Sequence, residues 1–203
     1  MGTKFRTLTL VVGLALAAGT AMAGPLGAAT PPIVGSGTVS CSVKATLSFA
    51  PPLKYPGTTQ PTVITLKSTL SGCTGTGDGA NIKSGKTVVV HTVEDNDCLN
   101  RLEGTPTDQS GDIKWSVLAH TPKQANSTIT FTAATKNDGP PISIDSTGSA
   151  TAGSYNGDAA AAHSQVSDKE TAAALTQKCL TSGLKTIHLV SPGSTFVLSS
   201  PPS

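Results

Sequence analysis

Aromatic residues are scarce in this 203-residue chain, at 3% of the total. Its core must therefore be built from Val, Ile, Leu and Ala, and the abundance of Thr beside the β-branched residues favours sheet over helix. Arginine is scarcer still: beyond the first few residues, Arg101 is the only one. Nucleic-acid binders displace counterions with clustered Lys and Arg, so that class of partner is excluded. Once Lys4 and Arg6 are set aside, acidic and basic residues balance, which leaves no source of attraction to anionic lipid. No cysteines stand in the close pairs of a zinc site, and no metal or other cofactor is expected.

Catalytic spacings are missing as well. No serine sits between glycines in the Gly-x-Ser-x-Gly order that a nucleophile elbow needs. No two histidines stand four apart around a glutamate. His91, His120, His163 and His188 are scattered singly, and no catalytic residue is assigned. The stretch GDGANIKSGKT, Gly77 to Thr87, imitates a phosphate-binding loop, but Ala80 stands where the first glycine belongs. Lys86-Thr87 then runs into VVVHTV, which reads as a strand where a phosphate loop would open a helix. The stretch is a hairpin connection.

What is present points to export. Lys4 and Arg6 precede an apolar run and then Ala21-Met22-Ala23, the order of a secretory leader cleaved before Gly24. The apolar run is too short to span a bilayer, and no stable membrane anchor is expected. The expected organisation is a signal peptide at 1–23, a flexible Gly/Pro/Ala lead-in at 24–36 and a single β domain at 37–203, secreted to the extracellular space. An exported chain with four cysteines, Cys41, Cys73, Cys98 and Cys179, should carry two disulfides.

In TVSCSVKATLSF, Val39, Cys41, Val43, Ala45, Leu47 and Phe49 alternate with polar residues, the period of a half-buried strand. Pro51, Pro52 and Pro56 are expected to break it. A second alternating run places Ile64, Leu66 and Leu70 on one face. Further strands are expected near 86–93, 112–120, 127–134, 141–147, 184–190 and 194–199, with Gly148 to Gly157 as an additional candidate. Turns at Asn137-Asp138-Gly139, Asn156-Gly157 and Pro192-Gly193 separate them. One helix is expected in SDKETAAALTQKC, begun by a Ser167/Glu170 capping box and stopped by Gly183. Successive strands are natural neighbours, which favours Cys41–Cys73 and leaves Cys98–Cys179, with the other two connectivities open. The fold expected is an antiparallel two-sheet β-sandwich with one short helix, with a closed β-barrel as the alternative.

The opening GSGTVSCSVKATLSFAPPL, the strand end TLSGCTG, the cysteine of DCLNRLEG and the closing TAAALTQKCLTSGLKTIHLV resemble uncharacterised exported proteins of actinobacteria. That resemblance implies export and a disulfide-braced all-β domain. It implies no activity.

The densest polar cluster is EDNDCLNR. Glu94, Asp95, Asp97 and Arg101 form the candidate binding loop, since the arginine's planar fork suits a carboxylate and the Cys98 bridge would lower the ordering cost on binding. The loop lacks the residue order of a calcium site. Glu94 and Glu103 are the only free glutamates for sugar chemistry, given a capping role for Glu170. The expected function is a secreted, non-catalytic binding or surface-interaction protein with an unidentified protein or surface ligand as partner. The alternatives are an extracellular hydrolase assembled from distant Ser, His and Asp, or, in a barrel with a large apolar cavity, a small-ligand carrier.

Overall fold

Alternation in the first strand sets the pattern for the whole molecule. β1 (Val39–Leu53) buries Val39, Cys41, Val43, Ala45 and Phe49 on one side and exposes Ser40 and Lys44 on the other. The computed structural model describes residues 32–102, 107–136 and 142–200, all within one compact unit, Pro31–Ser203. The leader, residues 24–31 of the lead-in, Glu103 and the turn at 137–139 lie outside the described residues.

After β1 come β2 (Thr62–Gly75), β3 (Ile82–Val93), helix α1 (Cys98–Leu102), β4 (Thr107–Val117), β5 (Ser127–Lys136), β6 (Ser143–Gly153), β7 (Ala159–Val166), helix α2 (Ala172–Leu180) and β8 (Leu184–Ser199). Each strand pairs antiparallel with the next, and β8 returns to pair with β1, closing an eight-strand barrel. This corrects the expected sandwich. A sandwich and a barrel both demand an inward apolar series alternating with an outward polar one, so alternation does not distinguish them; the β1–β8 pairing does.

β7 is the strand absent from the sequence reading. Its sequence AAAAHSQV has a single β-branched residue, yet it pairs along β6 and β8 and completes the ring. Two other expectations change in detail. β1 runs through Pro51 and Pro52 to Leu53; its pairing with β2 ends at Ala50 and its β8 register skips from Ser48 to Leu53, so no ladder bond is lost to the missing N–H groups. Pro192-Gly193 does not separate two strands either. β8 continues through it, and its register jumps against both β1 and β7, which marks a bulge.

The disulfides are Cys41–Cys73 and Cys98–Cys179. Ser40 pairs with Thr74 and Ser42 with Ser71, so β2 carries an extra residue opposite Cys41. Gly72, at φ +57°, takes the left-handed conformation that this bulge needs and sets Cys73 against Cys41. α2 starts at Thr171, whose hydroxyl accepts from the Ala174 N–H at 3.2 Å. This replaces the expected Ser167/Glu170 box. Glu170 accepts instead from the His188 backbone N–H at 2.6 Å and ties the helix entry to β8. At the other end the Gly183 N–H reaches back to the Lys178 carbonyl at 2.8 Å, with φ +81°, and stops the helix as expected.

The barrel wall is mainly polar outside, with Val63 of β2 and Val88 and Val90 of β3 exposed among the polar residues. Lys44, Lys67, Lys86, Asp108, Asp112, Lys114 and Lys185 are exposed. Thr128 and Thr132 of β5 donate to Asp112 (2.7 Å) and Asp108 (2.5 Å) of β4, cross-strand pairs that brace the wall.

Candidate functional site

The two ends of the barrel are sealed differently. At one end stand the starts of the odd strands and the finishes of the even ones. Trp115 is buried there and meets the ring of Tyr155 edge-on at 5.9 Å and 77°. The Trp115 indole N–H donates to the Ser127 hydroxyl at 2.7 Å, which donates to the Ser154 carbonyl at 2.7 Å. The lead-in's last residues join this seal: Ile33 N–H bonds the Lys123 carbonyl, Tyr155 N–H the Gly35 carbonyl, and Ser36 N–H the Asp78 carboxylate at 3.0 Å. Burial, with Asp78 and Asp158 adding to it, pushes the Tyr155 phenol up to about 12.

The opposite end carries α1 and α2, joined by Cys98–Cys179. Asp97 caps α1, accepting from the N–H groups of Leu99 (2.9 Å) and Asn100 (3.2 Å). Cys98 N–H bonds the Lys54 carbonyl, and the Thr135 hydroxyl donates to the Arg101 carbonyl at 3.0 Å, fixing α1 to the residue that follows β1 and to β5. Between the helices and the aromatic seal lies a cavity of about 150 Å³. Its wall is mainly aliphatic, with Leu47, Leu66, Ile144 and Phe131 from the strands and Leu102 and Leu175 from the helices. The void exists because small residues replace large ones: Ala160 and Ala162 of β7, Ala133 of β5 and Gly111 of β4 all line it. The weak strand signal of β7 and the open interior therefore have one cause.

A few polar groups interrupt the apolar wall. His91 projects from β3 into the lining, and neither of its ring nitrogens has a hydrogen-bond partner among the described residues. Burial, with the Arg101 charge adding to it, lowers its pKa below the usual 6.5. Arg101, Gln109 and Thr135 line the same space, and among the described residues Arg101 is the only Lys, Arg, Asp or Glu in the lining.

The loop residues singled out from sequence are partly dispersed. Glu94 is exposed and Asp97 is committed to the α1 cap. Asp95 accepts from the Asp97 N–H at 3.2 Å and stands 3.8 Å from Arg101, so these two do come together. Arg101, chosen as part of an outer loop, is instead half-buried at the cavity wall. His91 was missed as a site residue; its place on the inward face of VVVHTV, in phase with Val89 and Val93, was the signal available.

The remaining histidines lie elsewhere. His188 and His163 sit on the outer wall; His163 Nδ1 is 2.6 Å from Asp145, and His188 Nδ1 is 3.2 Å from Glu170. Trp115 and Tyr155 are core, and among the described residues no three His, Cys, Asp or Glu side chains are grouped to hold a metal. No family model, no curated protein and no solved structure matches this chain.

Proposed function

We propose that this protein is an exported carrier that takes a small, mainly apolar molecule into its barrel. The observation that supports this most directly is the aliphatic cavity of about 150 Å³ between the aromatic seal and the linked helices. An engineered apolar cavity of about this size in another protein stays dry and binds benzene, so the void suits one ring or a short branched chain. The exposed lysines and aspartates of the outer wall support action in water, since a barrel facing lipid carries its apolar band outside. Two disulfides fit an oxidising environment, and with the leader read from the sequence they support secretion.

The test is uptake of toluene by the purified, oxidised protein, followed by NMR shifts of interior methyl groups. One toluene is expected per chain, shifting Leu66, Ile144 and Leu175 while leaving the closed-end residues Ile82 and Leu198 unmoved. Ala162→Leu, which fills the void, should remove the effect. Absence of toluene binding to the native protein, or equal binding by Ala162→Leu, overturns the carrier reading.

A further inference from the structure

We infer that the carried molecule enters and leaves the cavity sideways, through a fork in the barrel wall between β3 and β4. This rests on the carrier reading and adds the route to it. The pairing of β3 with β4 runs from Ile82↔Val117 to Val88↔Asp112 and stops there, although β3 continues to Val93 and β4 begins at Thr107. Both strands stay bonded to their other neighbours over the same stretch, β3 to β2 as far as Thr62↔Val93 and β4 to β5 as far as Thr107↔Ala133. Among the described residues no ladder pair joins 89–93 to 107–111, so the wall divides at the hollow end while each half keeps its own bracing.

The fork opens onto the cavity. Thr87 and His91 of β3 and Gln109 and Gly111 of β4 border it and line the void. Backbone groups that do not bond each other across a wall must bond water instead, so parting these edges further breaks no ladder hydrogen bond. The two ends of the barrel are harder to open: one is packed with Trp115 and Tyr155, and at the other α1 and α2 are tied by Cys98–Cys179.

Polarity is reversed at this place. Elsewhere the wall is apolar inward and mainly polar outward, but at the fork Val88 and Val90 are 57% and 59% exposed on the outside while Thr87, His91 and Gln109 line the inside. Val63 of β2, opposite Thr92 in the register, extends the outer apolar patch diagonally from Val90. Valines grouped in water contribute little to stability, whereas beside an entrance they give an apolar molecule a first resting place. At the crotch of the fork one side chain stands in the way. Val89 is buried, and a Cβ at Gly111 would collide with its methyl group, so Val89 fills the space that the glycine leaves and acts as the stopper.

The experiment measures exchange of toluene between solution and the oxidised full-length chain by NMR magnetisation transfer. A passage sets the barrier without touching the bound state, so a change there alters entry and exit by the same factor and leaves Kd where it was. Val89→Ala is expected to speed both rates about ten-fold, within the span of association rates among variants of one site. Leu198→Ala, a truncation also buried but at the closed end, should leave them unchanged. Val90→Cys carrying a bulky maleimide at the outer lip should slow both rates, and the same adduct on Thr147→Cys, exposed on β6, should not. Rates unmoved by the Val90 adduct, or raised as much by Leu198→Ala as by Val89→Ala, overturn the lateral route and leave the carrier reading standing. If Val89→Ala does not fold, the Val90 adduct, built on an exposed position, decides alone. Failure of toluene to bind the native chain overturns both.

Discussion

The two ends of this barrel are built from the same strands by the same alternation, yet one is filled and the other hollow. At the filled end the inward positions hold Trp115, Cys41, Val39 and Leu198, and Tyr155 packs across them. At the hollow end the corresponding layers hold Ala133, Ala162 and Gly111. Strand number sets the width of a barrel, but the size of inward side chains decides whether the width is occupied. The polar groups differ in kind as well. Those at the filled end run from Trp115 to Ser127 to the Ser154 backbone and hold the seal together. Those at the hollow end, His91 and Arg101, line the cavity.

The largest way to break this contrast is to hollow out the filled end. Trp115→Ala removes the ring that meets Tyr155 and leaves the Ser127 hydroxyl without its donor, and a loss of about 3–5 kcal/mol is expected in urea unfolding. An effect of similar size bears on how the hollow end is closed. Replacing Cys98 and Cys179 together by Ser releases α1 from α2 across a sequence separation of 81. In the chain-entropy account this costs about 4.5 kcal/mol, and measured losses of about 2–5 kcal/mol are usual. Denaturant midpoints of the double variant against the native chain check it, with toluene binding weakened beside them.

Next in size is a matched pair of additions, one at each end. A Cβ at Gly85 would stand 3.0 Å from Ile113, Leu70 and Trp115, so Gly85→Ala should cost about 1–3 kcal/mol by overpacking. Ala162→Leu adds more atoms but adds them to empty space, and should stabilise by about 0.5–2 kcal/mol. If both variants lose stability equally in thermal unfolding, the two ends are not packed differently.

The smallest effects are in pH, and the ends should respond with opposite sign. His91 has its pKa lowered by burial and by Arg101, so the unfolded chain takes up its proton first as pH falls through 6.5. Stability should therefore decline below pH 6.5, and His91→Phe should remove that decline. Asp158, near the aromatic seal, has its pKa raised above 3.8 by burial, partly offset by a hydrogen bond from Ser200. There the folded state holds the proton more tightly, so stability should fall as pH rises from 3.8 through the raised value. Asp158→Asn should flatten that limb. Denaturation midpoints across pH 3 to 8 separate the two.

Much of the wall was legible in the sequence. Alternating runs such as Val39 to Phe49 and Ile113 to Val117 are buried on the expected face, because a pleated strand admits only two sides. The helix within SDKETAAALTQKC was equally plain, although its cap was misplaced: Ser167 and Glu170 have the spacing of a box, and only the approach of β8 shows that His188 takes the glutamate. The candidate site was legible in one residue. Arg101 stood out as the only arginine beyond the first few residues, whereas His91 read as one polar residue in a valine run.

What the sequence determined by itself was the β character, the polarity of each face and the pairing of Cys41 with a neighbouring strand. These follow from local chemistry: side-chain period and turn residues act over a few residues. The tertiary structure alone decided that β8 closes on β1, that an alanine run becomes a strand because β6 and β8 offer it hydrogen bonds on both sides, and that Arg101 and His91 share one cavity. Each of those depends on residues far apart in the chain meeting across the barrel, and a pairing between distant partners leaves no periodic mark on either one.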